Sequence, residues 1–147
     1  MHHRTQSILS LCLVAVFLAA CAAPAAVPTP VPAQPAPNLA NPASVNCEKQ
    51  GGKLSIQKRP DGGEYGVCLF EDNRQCEEWA LLRGDCPVGG VKITGYVTQA
   101  AQFCAITGGE YKVTANSNTD QEQGTCTFKS GKTCDAAAYF AGTCSGQ

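Results

Sequence analysis

One spacing of cysteines occurs twice in this chain. The segments "CLFEDNRQCEEWALLRGDC" (68–86) and "CTFKSGKTCDAAAYFAGTC" (126–144) both place seven and then nine residues between successive cysteines. Sliding the chain on itself by 57 or 58 residues also aligns "ASVNCEKQGGKL" with "AAQFCAITGGEY". The pattern indicates a tandem duplication of a small unit. The second copy has one extra residue, which falls inside its hairpin, where a loop absorbs a change of length.

Each copy is predicted to fold as helix, hairpin, helix. In the first copy, Asn41 and Pro42 are an N-cap and first-turn pair, and a glycine pair at 51–52 ends the short helix. Alternating apolar residues flank the turn sequence "PDGG" (60–63), which is typical of a β-hairpin. The segment "CEEWALLRG" (76–84) is predicted to be the second helix.

The fold class is therefore α+β, with two small disulfide-stapled units in tandem after a disordered stalk rich in proline and alanine. The predicted boundaries are a signal peptide (1–20), a lipidated linker (21–40), repeat 1 (41–86), an inter-repeat linker (87–97) and repeat 2 (98–147).

The cysteines are predicted to be structural. A unit the size of 41–86 is too small to be stable on a hydrophobic core alone, and two disulfides at ~2 to 4 kcal/mol each would make up the deficit. Of the ten cysteines, Cys12 is lost with the signal and Cys21 is predicted to carry lipid, which leaves an even number. The predicted disulfide cysteines are Cys47, Cys68, Cys76, Cys86, Cys104, Cys126, Cys134 and Cys144.

Helix geometry narrows the possible pairings. If Cys76 and Cys86 bracket a helix, ten residues at the helical rise separate them by about 15 Å. A disulfide tolerates Cα separations only up to about 7 Å, so a bridge between these two is not expected. Two alternatives remain, 47 with 86 plus 68 with 76, or 47 with 76 plus 68 with 86, and the first is weakly favoured.

No metal, cofactor or catalytic site is predicted. Zinc sites and thiol redox sites use close pairs such as C-x2-C, which do not occur here, and the only histidines, His2 and His3, fall in the signal. Two acidic pairs, Glu77–Glu78 and Glu71–Asp72, have no acidic pair at the matching positions of the second copy, so we interpret them as a solvated helix face or loop. The chain is predicted not to be an enzyme.

Three further features concern contacts. Trp79 has the spacing of a residue packed on the hairpin, which favours a place in the core over an exposed binding anchor. The turn sequences "RPDGGE", "EDNR" and "NSNTDQEQG" are the candidate contact loops. The linker "PVGGVKITGYVT" (87–98) is predicted to contain a short strand rather than only a tether.

The N-terminus is typical of an exported protein. Basic residues precede an apolar run from Ile8 to Ala20, which is too short to span a bilayer comfortably. The run ends in small residues before Cys21, and this resembles the signals of bacterial lipoproteins, in which lipid is attached to that thiol. The segment that follows carries no charge before Glu48 and holds seven of the nine prolines, as an extended stalk would. The predicted location is a lipid anchor in the bacterial cell envelope, in the outer membrane if the cell has one.

The charge of the mature chain argues against two kinds of partner. Removal of Arg4 with the signal leaves ten basic against twelve acidic residues, which is a net charge of −2. Such a balance argues against nucleic acid and against electrostatic capture by anionic lipid.

The segments "NPASVNCEKQGGKL", "GEYGVCLFEDNRQCEEWALLRGDC" and "CAITGGEY" with "DQEQGTCTF" resemble a small cysteine-rich domain of unknown function, found in bacterial lipoproteins that often carry a hemolysin label. The resemblance covers about 41–144 and implies a cysteine-braced envelope module without known catalytic residues. The leading expectation is a non-enzymatic binding or structural module with an envelope protein, peptide or glycan as partner. A double-headed protease inhibitor is the alternative, and a cytolysin is less favoured because no apolar run after the signal is long enough to enter lipid.

Overall fold

The structure of the chain is a computed structural model, and it describes residues 40–146. The predicted signal peptide, the lipidation site Cys21 and the stalk up to residue 39 lie outside this range. In the first copy the elements are α1 (Pro42–Lys49), β1 (Lys53–Lys58), β2 (Glu64–Phe70), β3 (Arg74–Glu77) and α2 (Glu78–Arg83). After the linker strand β4 (Val91–Lys92), the second copy has α3 (Gln99–Ile106), β5 (Glu110–Ala115), β6 (Gln123–Thr127), β7 (Thr133–Asp135) and α4 (Ala136–Phe140).

The strands form two antiparallel sheets, one for each copy. The first sheet has the order β1-β2-β3-β4, and the second has the order β5-β6-β7. The linker strand pairs with β3, which confirms the prediction of a short strand between the copies. The second hairpin contains a register shift between Val113 and Ala115, so the extra residue lies in the hairpin, as the internal alignment predicts.

The first helix begins and ends where the sequence indicates. The side chain of Asn41 accepts a hydrogen bond from the backbone N–H of Ala43 at 3.0 Å, and Pro42 occupies the first turn. The chain leaves the helix through Gly51, whose φ of 79° is in the left-handed region. The next residue, Gly52, is packed so closely on the sulfur of Cys68 that a Cβ atom would collide with it. A glycine pair is therefore required here for two different reasons.

The hydrophobic core of the first copy lies between α1, α2 and one face of the first sheet. It is built largely from half-cystines, and it is closed by Ala80 and Leu81 of α2, with Leu54 and Phe70 of the sheet packed against it. The buried half-cystines of this core are Cys47, Cys68, Cys76 and Cys86.

The opposite face of the same sheet is covered by the second copy. Tyr65, Val67 and Leu69 of β2 join one apolar cluster with Phe103 of α3 and Phe140 of α4. The ring centroids of Tyr65 and Phe103 are 5.0 Å apart in an edge-to-face arrangement. The first sheet is thus buried on both faces, and the two copies share one core.

Matching positions of the two copies differ as this stacking requires. Where β2 has Val67 and Leu69, β6 has Thr125 and Thr127, and neither threonine belongs to the apolar cluster between the copies. The helices α3 and α1 differ in the same way, with apolar residues in α3 where α1 has polar ones. Phe103 and Ile106 are buried against the first sheet, whereas their counterparts in α1 are Asn46 and Lys49. These polar replacements end the stack at two copies.

The predicted disulfide pairing is wrong. The structure joins Cys76 to Cys86, the bridge that the helix argument excludes, and joins Cys47 to Cys68. The second copy repeats this pairing with Cys104–Cys126 and Cys134–Cys144. The physical reason is the length of α2.

The second helix has only six residues, Glu78–Arg83, so it spans about 9 Å rather than 15 Å. Cys76 does not belong to it but to a third strand, β3, which the sequence did not predict. After the helix, Gly84 adopts the left-handed conformation and reverses the chain, so that the Cα atoms of Cys76 and Cys86 are 5.8 Å apart.

Two predictions about exposure are also wrong. Trp79 was expected in the core, but its position on α2 faces outward and the residue is 41% exposed. Glu77 and Glu78 were expected on a solvated face, but they are only 9% and 5% exposed. The prediction assumed a helix that starts at Cys76. Because the helix starts at Glu78, these side chains point in directions other than those predicted.

The carboxylate of Glu78 is held in a polar network between the two helices of the first copy. It accepts hydrogen bonds from Asn41 Nδ2 at 2.9 Å and from Ser44 Oγ at 2.6 Å. In the second copy all three positions change together, to Thr98, Ala101 and Ala136. One copy therefore has all three members of the network and the other copy has none. This is expected because a single buried polar group without a partner would destabilise the fold.

Candidate functional site

A cleft of about 500 Å³ opens where the two copies meet. This volume lies in the range of small-molecule binding sites. Residues of both copies line it, so neither copy contains the cleft alone. The first copy contributes Arg59, Glu64, Tyr65, Glu77, Arg83 and Asp85, and the second contributes Phe103, Thr107, Gly108, Phe128, Lys129, Ser130, Tyr139 and Gly146.

Aromatic side chains form a continuous surface in the cleft. The ring of Phe103 lies 5.0 Å from that of Tyr65 and 5.0 Å from that of Tyr139, measured between centroids. Phe128 packs edge-to-face on Tyr139 at 4.8 Å. The rings of Tyr65, Phe103 and Tyr139 also belong to the apolar cluster between the copies, so the packing of the two copies fixes this part of the surface.

Three positively charged side chains line the cleft together with these rings, and two of them form ion pairs with nearby carboxylates. Arg59 Nη2 lies 3.3 Å from Asp61 Oδ2, and Arg83 Nε donates to Asp85 Oδ2 at 2.9 Å. Lys129 Nζ donates to the carbonyl of Gly84 at 3.0 Å. Within residues 40–146, no carboxylate lies at ion-pair distance from Lys129.

The buried carboxylate in the cleft wall, Glu77, is the N-cap of α2. Its two oxygens accept the backbone N–H groups of Trp79 at 3.1 Å and of Ala80 at 2.8 Å. Burial raises the pKa of Glu77 above its usual value, and the two backbone hydrogen bonds oppose this shift. Since both oxygens are already occupied, the main role of the side chain is to start the helix.

The two tyrosines of the cleft are held in the neutral form. Burial raises the pKa of Tyr139, and the negative charge of Glu77 adds to this effect, while the neighbouring Thr107 hydroxyl and the positive charges of Arg83 and Arg59 oppose it. Burial also raises the pKa of Tyr65, with Arg59 opposing. Both hydroxyls therefore keep their proton at neutral pH, and that of Tyr65 donates to Gln57 Oε1 at 3.0 Å.

The candidate contact loops are not equivalent in the structure. The turn after β1 reaches the cleft through Arg59 and Glu64, and Asp61 at its tip lies against Gly142 of the second copy. The turn "EDNR" (71–74) and the long turn 116–122 do not line the cleft. Of these three candidate loops, only the turn of 59–64 lines the cleft.

The residues of the cleft were not predicted from the sequence, apart from the loop that contains Arg59. The signal that could have indicated them is the contrast between β2 and β6. The run "YGVCLF" is apolar on both faces, whereas the matching "QGTCTF" alternates with polar residues. A strand buried on both faces must be covered by another element, and the second copy is the candidate.

Two other features are absent from the described residues. Within residues 40–146, no group of three or more histidine, cysteine, aspartate or glutamate side chains is placed to hold a metal ion. The helices in this part of the chain are all too short or too polar to cross a membrane.

Parts of the chain are similar to known proteins. A family model described as "Domain of unknown function (DUF333)" matches residues 38–85 and 95–143. The chain is 38% identical over 74 residues to the uncharacterized protein YoaF of Escherichia coli (strain K12), a match that covers 50% of this chain and 84% of YoaF. It is 32% identical over 49 residues to the uncharacterized protein YdbJ of the same organism, covering 33% of this chain and 56% of YdbJ. No solved structure matches the chain significantly.

The two matched segments correspond to the two cysteine-braced copies and together cover more than half of the chain. The chain therefore belongs to the DUF333 family and carries two copies of its domain.

Proposed function

We propose that this protein is a non-enzymatic, lipid-anchored lipoprotein of the cell envelope, and that its two domains form a single ligand-binding module. The observation that carries the binding role is the cleft of about 500 Å³ between the copies. A site made by both copies gives the duplication a function, since one copy alone would have neither the aromatic surface nor the three cations.

The lipid anchor is proposed from the sequence. Small residues precede Cys21 at the end of an apolar run, and an uncharged, proline-rich segment separates this cysteine from the first domain. Such a segment would hold the cleft away from the membrane surface. Metabolic labelling with a radioactive or clickable fatty acid should label the protein, and C21S should remove both the label and the membrane association. Labelling of C21S at the same level would contradict the anchor.

The absence of catalysis is also a proposal, and two observations support it. Each of the eight cysteines in residues 40–146 is bonded to another cysteine, so no thiol is available as a nucleophile there. The carboxylate oxygens of Glu77 are both engaged with the backbone, which leaves this buried acid poorly placed to act as a general base.

The binding role is tested by filling the cleft. Ser130 is an exposed residue on its rim, and S130W would place an indole ring in the opening. Ser117, in the exposed turn of the second hairpin, offers the matched control S117W. Full-length protein incubated with envelope extract should retain a bound molecule detectable by mass spectrometry, S117W should retain it equally, and S130W should lose it. Equal retention by S130W would exclude the cleft as the binding site.

A double-headed inhibitor is not proposed. Such a protein would present two equivalent loops, whereas the hairpin turn of the first copy is packed against the second copy through Asp61 and Gly142. No feature of residues 40–146 favours lysis of membranes as a second function, and the hemolysin label of similar domains is not carried over.

A further inference from the structure

The cleft contains hydrogen-bond donors that the contacts within residues 40–146 do not use. A guanidinium group has five N–H donors and an ammonium group has three. Within residues 40–146, Arg83 donates only through Nε, to Asp85. Lys129 donates to one acceptor, the carbonyl of Gly84. The Nε atom of Arg59 is buried and has no partner among the described residues. The site therefore has unused positive donors.

The carboxylates that line the cleft already have partners. Both oxygens of Glu77 accept backbone N–H groups, and Asp85 accepts from Arg83. Glu64 Oε1 lies 3.7 Å from Lys58 Nζ, and both side chains are exposed. A ligand with an anionic oxygen group would pair with the donors that the fold leaves unused.

The donors lie close to one another and to the aromatic surface. Lys129 bonds to the carbonyl of Gly84, the residue between Arg83 and Asp85, so the two cations are brought together by one short loop. Arg59 and Arg83 both act electrostatically on the hydroxyl of Tyr139. Beside these charges, Phe128 and Tyr139 present packed rings against which a planar apolar group could lie.

We propose that the cleft binds a ligand that combines an anionic oxygen group, a carboxylate or a phosphate, with a planar apolar ring. The oxyanion pairs with Lys129 and Arg83, and the ring lies on the surface of Phe128 and Tyr139. The proposal rests on the proposed binding function and adds the chemical class of the ligand.

The test uses four small probes and nuclear magnetic resonance of the full-length, ¹⁵N-labelled protein. Benzoate and phenyl phosphate carry the ring with either anion, benzyl alcohol carries the ring without charge, and inorganic phosphate carries the charge without the ring. Both ring anions should shift the amide signals of Gly108 and Ser130, which lie in the cleft lining. Their dissociation constants should be at least about fivefold lower than those of benzyl alcohol and inorganic phosphate, as expected for one charge-assisted contact. A preference between benzoate and phenyl phosphate identifies the anion.

Substitutions test which side chain binds the anionic group of the probe. K129Q should weaken binding of the ring anions about fivefold and leave benzyl alcohol unchanged. The matched control is K132Q, because Lys132 belongs to the same turn but does not line the cleft. Amide spectra that overlay on those of the unsubstituted protein away from the turn establish that both variants are folded.

The failures of the two proposals are distinguishable. If benzyl alcohol binds as tightly as benzoate, or if K129Q and K132Q behave alike, the anionic class is overturned while the cleft remains a binding site. If no probe binds and S130W still loses the molecule captured from envelope extract, the ligand class is wrong and the proposed function stands. If no probe binds and S130W captures as the unsubstituted protein does, both proposals are overturned.

Discussion

Cys68 and Cys76 lie directly opposite each other in the pairing of β2 with β3, yet they are not bonded to each other. Both side chains project toward the helical face of the sheet. Cys68 is bonded to Cys47 in α1, and Cys76 is bonded to Cys86 after α2. Each bridge therefore fixes one helix to the sheet, and Cys126 and Cys134 repeat the relationship in the second copy.

This pairing can be read from peptides. In the first copy a lysine or arginine lies between each cysteine and the next, so trypsin places the four cysteines on separate peptides. Digestion without reduction should release the peptide of Cys47 joined to that of Cys68, and the peptide of Cys76 joined to that of Cys86. A mass that joins the peptides of Cys68 and Cys76 would contradict the structure.

The network of Glu78 should behave as a unit. E78A leaves the donors of Asn41 and Ser44 without their acceptor, and we expect a loss of about 2 kcal/mol in the free energy of unfolding, measured in urea. Adding S44A should cost little more, because its partner is already gone. Full additivity of E78A and S44A would show that the two side chains do not interact.

The second copy suggests how that loss can be compensated. In the first copy the carboxylate of Glu78 lies close to Gly66. In the second copy the ring of Tyr111 lies close to the matching Gly124. The position that matches Tyr111 is Leu54. We expect L54Y to recover part of the stability lost in E78A, and to destabilise the chain when Glu78 is present, because the ring and the carboxylate would compete for the same space.

Glu77 should make stability depend on pH in a defined direction. Its pKa is raised in the folded chain, chiefly by burial, so protonation favours the folded state. This contribution is fully present below the usual pKa of 4.5 and is lost as the pH rises through the folded-state value. We expect the free energy of unfolding, relative to that of E77Q, to decrease as the pH rises above 4.5. An increase over this range would contradict the assignment.

Much of one copy is predictable from the sequence, for local reasons. The cap at Asn41, the glycines after α1 and the turn at 60–63 act within a few residues, so the first helix and the hairpin are as predicted. The errors begin at Cys76, where "CEEWALLRG" has the composition of a helix throughout. The pairing of its first residues with β2, which makes them a strand, is a tertiary contact, and the wrong disulfide pairing follows from this one boundary.

The cleft could not be predicted because it depends on how the copies stack. Arg59 and Lys129 are 70 residues apart, and each is unremarkable in its own turn. Only the packing of Phe103 and Phe140 on β2 brings them to one site. The paired differences between copies, such as Leu69 against Thr127, contain this information, but they require that the strand register be known first.

The end of the stack at two copies is also testable. T125V and T127L would give the second sheet the residues that the first sheet uses to bind α3 and α4, and N46F with K49I would give α1 the matching residues of α3. A chain with all four substitutions should self-associate in sedimentation experiments, because each end then complements the other. Either pair alone should associate more weakly, and equal behaviour of the four-fold variant and the unsubstituted protein would contradict the stacking argument.

The central claim is that the two copies share one core. Its most direct test is the nuclear Overhauser effect between the ring protons of Tyr65 in the first copy and Phe103 in the second, whose centroids are 5.0 Å apart. We predict cross-peaks between these rings, and between Phe103 and Tyr139. Cross-peaks for the second pair without any for the first would show that each copy folds separately, and would contradict both the shared core and the cleft built on it.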